Sequence, residues 1–202
     1  MLDAAGLGDA PGDRACALFA AGADWIQLRD RTLSDAALVA LARTLVEACA
    51  KAERDRARII VNKRADLARA AGAHGVHLGF DALDPASARE VLGASALLGR
   101  SLHSVDEVRE RAAASDVDYV HLAPIWDPNS KPAERPALGV EAIREAAATG
   151  VPVIAQGGLD APRAREAIAA GAAGVAVTGA LARGGDPKAV LAPLRDCLDK
   201  PS

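Results

Sequence analysis

Short β-rich apolar runs recur along the chain, separated by alanine-rich stretches of helical pattern. The runs predict strands at DWIQLRD (24–30), RIIVNK (58–63), GVHLGF (75–80), LLGRSLH (97–103), YVHLAPI (119–125), PVIAQGG (152–158) and GVAVTGAL (174–181). Ser34 is placed to cap LSDAALVALARTLVEACAKAE, and Asp84-Pro85 opens PASAREVLG with proline in the first turn. Ser104 caps VDEVRERAAA, and Asp160 caps APRAREAIAAG. Strands that alternate with helices imply right-handed crossovers and a parallel sheet.

One phrase repeats: AAGADWIQLRD, AAGAHGVHLGF and AAGAAGVAVTG each read as helix end, glycine, then strand. Gly22 and Gly72 are 50 residues apart, and Gly171 follows Gly72 by 99, with SDVDYVHLAP in the slot between. A period of about 50 residues holds two strand–helix units, and four periods close an eight-stranded barrel, which needs at least about 200 residues. The expectation is α/β, a TIM (β/α)8 barrel, with residues 1–202 as a single domain. A doubly wound open sheet is the rival, but no glycine-rich turn follows the first visible strand. Only Met1-Leu2-Asp3 precede the helix GDRACALFAAG. The first strand is therefore expected to be short or missing, or its edge covered by another chain.

Composition narrows the function. Half of the 202 residues are apolar, enough for one sizeable core. The net charge of −3 has no basic run, and the few aromatics offer no stacking platform, so a nucleic-acid partner is not expected. No apolar run reaches bilayer length and the N-terminus carries no signal pattern, which predicts a cytoplasmic protein without a membrane partner. Cys16, Cys49 and Cys197 form neither a disulfide framework nor a zinc motif.

Aligning the even strands on IQLR, VHLG, VHLA and VAVT puts Gln27, His77, His121 and Ala176 in one register, followed two residues on by Arg29, Gly79, Ala123 and Thr178. A barrel layer holding a glutamine and two histidines is costly unless hydrogen-bonded or ligand-binding. Asn62-Lys63-Arg64 follow a buried run where this fold delivers catalytic groups, at the C-terminal end of a strand. Gln156-Gly157-Gly158 and Thr178-Gly179 end the last two strands, where glycines admit an anion to backbone N–H groups. With Arg29, Arg31, Lys63, Arg100 and Lys131 at strand ends, a phosphorylated ligand is expected; Arg100 and Ser101, being adjacent, must face opposite ways.

The pieces QLRDR (27–31), VNKRADLA (61–68), GVHLG (75–79), GRSLHS (99–104), DYVHLAPIW (118–126), SKP (130–132), the GG at 157–158 and GVAVTGAL (174–181) occur in this order. Together they resemble the thiamine phosphate synthase / thiazole tautomerase (TenI-type) family over roughly residues 15–185. A synthase of that family expels pyrophosphate from an aminopyrimidine diphosphate and captures the pyrimidine cation with the nitrogen of thiazole phosphate. The resemblance assigns Gln27, Arg29 and Arg31 to the pyrimidine diphosphate, with Arg31 where the family usually has Lys, matches Asn62 to the family asparagine, and matches Ser101, Ser130 and Lys131 to pyrophosphate-loop and strand positions. It assigns Gly157, Gly158, Thr178 and Gly179 to thiazole phosphate.

Lys63 stands where the family has a magnesium-binding aspartate, and Ala82 where it has the second, with Asp81 one place early. Lysine cannot coordinate magnesium, though it can pair with a phosphate. The leading expectation is therefore a TenI-type enzyme that aromatises a thiazole phosphate by metal-independent proton transfer. No cofactor is expected on this reading, with His121 and, behind it, His77 as the proton shuttle. The family's tautomerase histidine falls at Pro124, and His103 is equally a cap neighbour or a catalyst, while His74 reads as a turn residue. One alternative is a thiamine phosphate synthase, which would bring Mg2+; another is a non-catalytic thiamin-phosphate-binding or regulatory relative. The expected partner is a phosphorylated thiazole or pyrimidine, with a homo-oligomer left open.

Overall fold

The computed structural model describes residues 1–127, 135–182 and 184–199. In chain order the elements are α1 (Ala4–Leu7), α2 (Pro11–Ala20), β1 (Trp25–Leu28), α3 (Asp35–Ala50), β2 (Arg58–Asn62), α4 (Ala65–Ala71), β3 (Gly75–Leu78), α5 (Pro85–Leu92) and β4 (Leu97–Leu102). They continue with α6 (Val105–Ala114), β5 (Tyr119–Leu122), α7 (Gly139–Ala147), β6 (Val153–Gln156), α8 (Ala161–Ala169), β7 (Gly174–Ala176), α9 (Gly179–Ala182) and α10 (Pro187–Asp199). The strands are parallel, and each neighbours in the sheet the strand that it neighbours in sequence. No helix among the described residues is long and apolar enough to cross a membrane.

The predicted caps form. The Ser34 hydroxyl accepts from Ala37 N–H, the Asp84 carboxylate from Ser87 N–H, the Ser104 hydroxyl from Glu107 N–H and the Asp160 carboxylate from Arg163 N–H. Each takes up a helix-terminal donor that would otherwise be orphaned, which stabilises by about 1 kcal/mol.

The chain divides into two compact units, one of Met1–Leu98 with Thr178–Ala192, the other of Gly99–Val177 with the residues from Pro193 onward. In the first, β1, β2 and β3 pair with Gln27 beside Ile60 and Ile60 beside Gly75, while Asn62 lies beside His77. Side chains alternate across a strand, so Ile26, Leu28, Ile59, Val61, Val76 and Leu78 share one fully buried face, and Gln27, Ile60, Asn62 and His77 share the other. Along the ladder Gln27 is level with Gly75, not with His77. The register thus advances two residues over two strands, the stagger of one per strand that a shear of about 8 over eight strands requires. Gln27 and His77, two ladder positions apart on alternate strands, therefore stand at one height in a barrel of that shear.

The first strand is reduced to one residue. Leu2 pairs in parallel with Leu28, its N–H donating to Gln27 O (2.9 Å) and its carbonyl accepting from Arg29 N–H (2.8 Å). The short helix α1 then starts on Asp3, whose carboxylate accepts from Gly6 N–H (2.8 Å).

The second unit pairs β4 through β7 with Ser101 beside His121, His121 beside Ile154 and Ile154 beside Gly174. Its core is Leu102, Val108, Val120, Leu122, Ile125, Ile143 and Val153 with small alanines from the helices. Two glycines are set by strand packing. A Cβ on Gly75 would lie 2.1 Å from Leu97 O in the first unit, and one on Gly99 would lie 2.0 Å from the Tyr119 ring in the second.

One predicted strand is corrected. GVAVTGAL does not run to 181: β7 stops at Ala176, and Leu181 and Ala182 donate to Thr178 O (3.2 and 2.9 Å) as the first turn of α9. The apolar residues after Thr178 belong to a helix start, which a short apolar run does not distinguish from strand.

Candidate active site

In the first unit the polar strand ends converge around Lys63. Asn62 closes β2 with its amide Nδ2 donating to His77 O (3.4 Å), and Lys63 N–H donates to the same carbonyl (2.9 Å). Lys63 has φ 64°, a left-handed conformation that costs a non-glycine residue about 1–2 kcal/mol and is concentrated at functional positions. Its ammonium pairs with the Asp81 carboxylate from the loop after β3. Gly79 lies alongside: a Cβ there would stand 3.1 Å from Lys63 Cε.

Arg29 and Arg31 belong to the same electrostatic group. Burial pushes the Arg29 guanidinium down, Arg31 adds repulsion, and Asp81 pulls it back up. The Asp81 carboxyl is held below its ordinary range, first by its hydrogen bond to Lys63 and less strongly by Arg31. Asp30, between the two arginines in sequence, accepts from Ala4, Thr32 and Leu33 N–H and from the Thr32 hydroxyl. Those donors hold its carboxyl far below the usual range and use up its acceptor capacity.

Arg64 departs from the sequence reading. Its guanidinium forks onto Asp35 (2.8 Å, both oxygens) and onto Asp66 at the exposed start of α4, so it leaves the strand-end cluster. Gln27 and His77 are buried, at 9% and 1% exposure. Thr178 caps α9 through its carbonyl, while its hydroxyl oxygen is buried without a partner among the described residues; Gly179 is the first residue of that helix. An orphaned buried hydroxyl at a helix start calls for a ligand or water.

The second unit presents neutral donors. His121 is buried at 8% exposure, and its Nδ1 lies 3.0 Å from Gln156 Oε1; an amide oxygen only accepts, so Nδ1 carries the proton. Burial holds the imidazole down at about 4, against the upward pull of the Gln156 bond. His121 is therefore neutral across the physiological range, not poised near neutrality as a proton shuttle requires. The buried Tyr119 ring tilts against it at 5.6 Å between centroids, and Ser101 lies beside it in the sheet. Arg100 pairs instead with Val120, which belongs to the helix-packed core, so it faces away from Ser101 and His121.

Two features escaped the sequence reading. His103 Nδ1 donates to Ala123 O (2.7 Å), at the cis Ala123–Pro124 peptide. His74, read as a turn residue, accepts Ile59 N–H at Nδ1 (3.1 Å) and has a structural role.

The glycine pair has a packing reason beside any ligand role. Gly157 and Gly158 have φ 99° and 61°, and a Cβ on them would meet Pro124 Cα at 2.9 Å and Asp127 O at 2.5 Å. Arg163 donates to Gly158 O (2.6 Å) and lies 5.8 Å over the Trp126 ring. Neither glycine N–H has a backbone acceptor among the described residues. Ser130 and Lys131 lie outside the described residues.

At the two positions where the resemblance expects magnesium-binding aspartates, Lys63 and Ala82 offer no side-chain oxygen. No group of three or more His, Cys, Asp or Glu side chains among the described residues could hold a metal ion, and Asp81, the carboxylate nearest the expected position, is engaged by an ammonium.

Residues 8–181 match a family model described as thiamine monophosphate synthase. The thiamine-phosphate synthase of Methanoculleus marisnigri is 42% identical over 95% of this chain and 89% of its own. That of Mycolicibacterium gilvum is 40% identical over 93% and 81%. In structure, a thiamine phosphate pyrophosphorylase from Pyrococcus furiosus superimposes over 98% of this chain and 93% of its own with a TM-score of 0.83 at 24% identity. That likeness assigns the fold to the TIM-barrel class, here with its first strand cut to Leu2. The chain belongs to the thiamine monophosphate synthase family.

Proposed function

We propose that this protein is a thiamine phosphate synthase, joining an aminopyrimidine diphosphate to thiazole phosphate with release of pyrophosphate. The carrying observation is the Arg29–Arg31–Lys63 group at the strand ends of the first unit, in a chain about 40% identical to curated synthases over most of its length. In that reaction the carbon–oxygen bond to the diphosphate breaks with both electrons leaving on pyrophosphate. The thiazole nitrogen then donates its lone pair to the pyrimidine carbon. No proton is abstracted, so the chemistry asks for cations at the leaving group and a neutral interior, not a base. Arg29, Arg31 and Lys63 answer the first need in the first unit, and the neutral Nδ1–H tautomer of His121 answers the second in the other. Gln27 and Asn62 would orient the pyrimidine. The amides of Gly157 and Gly158 and the orphaned Thr178 hydroxyl are each suited to a phosphate oxygen.

The tautomerase reading survives on one observation. His103, half-buried and bonded through Nδ1 to Ala123 O beside Pro124, is the candidate for it, not the buried His121. Incubation of the purified protein with both precursors separates the readings: thiamin phosphate and pyrophosphate should appear in equal amounts. Aromatisation of thiazole phosphate carboxylate without thiamin phosphate would favour the tautomerase, lost in His103→Ala. Tight binding of thiamin phosphate without either turnover would make the chain a non-catalytic relative.

A further inference from the structure

The Lys63–Asp81 pair is unusual for a salt bridge because its two halves are held so differently. Lys63 is fixed at three points: a left-handed backbone, an N–H bonded to His77 O, and a side chain running through the notch at Gly79. Asp81 sits in the exposed loop Phe80–Leu83, where Ala82 N–H reaches Gly79 O only at 3.4 Å. The Lys63 side chain is 29% exposed and that of Asp81 is 71% exposed. The cation is the built half and the carboxylate the exposed half. Around them stand Arg29 and Arg31, so among the described residues these three cations share the Asp81 carboxylate, while the oxygens of Asp30 and Asp84 are turned to other donors. A ligand with several negative charges can answer three cations better than the one carboxylate paired with Lys63.

We propose that Asp81 is a resident counter-ion that holds Lys63 ready and is displaced by the diphosphate of the incoming substrate, Lys63 supplying as a tethered ammonium the positive charge at the leaving group without a divalent metal. The diphosphate assignment rests on the synthase reading above; the exchange of Asp81 for a polyanion does not. Gly79 leaves room for the Lys63 side chain: a Cβ there would make it give by a few tenths of an ångström.

The test is calorimetric titration of inorganic pyrophosphate into the full chain in EDTA, for the wild type, Asp81→Asn and Lys63→Asn. Asparagine tolerates the left-handed backbone at position 63, and Lys63→Gly serves if Lys63→Asn fails to fold. The wild type should bind in EDTA. Removing an exposed competitor should tighten binding by about 2- to 5-fold in Asp81→Asn. Loss of a charge-assisted contact should weaken it by about 10- to 100-fold in Lys63→Asn. Binding that appears only with magnesium, or an Asp81→Asn affinity equal to or weaker than wild type, would overturn the proposal. Thiamin phosphate formation is followed in parallel. Tighter pyrophosphate binding by Asp81→Asn with no thiamin phosphate made would sink the synthase reading and leave the exchange standing; thiamin phosphate formation that requires magnesium would do the reverse.

Discussion

The first unit ends its strands in full charges and the second ends them in neutral donors. At Lys63, Arg29 and Arg31 the groups are cationic, exposed to half-buried, and share a carboxylate from a loop. At His121, Gln156, Gly157 and Gly158 the donors are an imidazole N–H and backbone amides, locked by burial and by glycine geometry. The contrast is physical: long charged side chains can rearrange around a ligand, whereas a buried imidazole and two amides are pre-set. A diphosphate that must depart suits the former, and a group that must be held still suits the latter.

The largest expected effects come from the glycines that let strands approach, and they test whether both units are equally tight. Gly75→Ala should cost about 3 kcal/mol, because its Cβ would press on the Leu97 backbone oxygen and backbone cannot swing aside. Gly99→Ala presses on a side chain, so combining it with Tyr119→Leu should be less damaging than the sum of the two changes; chemical denaturation of the four proteins measures the coupling. Additive costs at Gly99 would mean that the Tyr119 ring does not set that position.

Next comes pH. His121 in the folded chain is lowered from 6.5 to about 4 by burial, so between those values the unfolded chain binds the extra proton. Stability is full above about 6.5 and falls as pH drops towards 4, by at most about 3 kcal/mol. His74, lowered chiefly by burial, adds a loss of the same sign from the first unit. Unfolding midpoints at pH 7 and pH 4.5 should therefore diverge less in His121→Leu than in the wild type. An unchanged pH slope would remove His121 as the second unit's acid-sensitive group.

The smallest pair contrasts two arginines. Arg163→Ala gives up a bond to Gly158 O and a contact over Trp126, for about 1–2 kcal/mol. Arg64→Ala gives up exposed pairs to Asp35 and Asp66, for about 1 kcal/mol or less, and should leave turnover unchanged. Lost activity in Arg64→Ala would return that residue to the strand-end group.

Much of this was legible in the sequence because it is periodic or local. The AAGA repeat marked the strand starts, and Ser34, Asp84, Ser104 and Asp160 announced their helices by residue type alone. The burial of Gln27, His77 and His121 followed from alternation. What was not legible depends on distance in three dimensions. That Arg64 would turn to Asp35, 29 residues away, is a choice among equally plausible carboxylates. That His121 would be pushed low, and that His103 would find Ala123 O, depends on what packs around each ring. Gly157 and Gly158 looked like phosphate glycines; their crowding against Pro124, Trp126 and Asp127 gives them a second reason to lack a side chain.

Leu2 carries a consequence out of proportion to its size. Its carbonyl is the acceptor for the Arg29 amide, and its own amide returns to the Gln27 carbonyl, so one residue clips the outer border of the sheet at the spot where the arginine emerges. Deuterium uptake at Arg29 should therefore report whether that clip is shut. An affinity tag fused ahead of Leu2, by loosening it, would blunt the enzyme without touching any residue that meets the ligand.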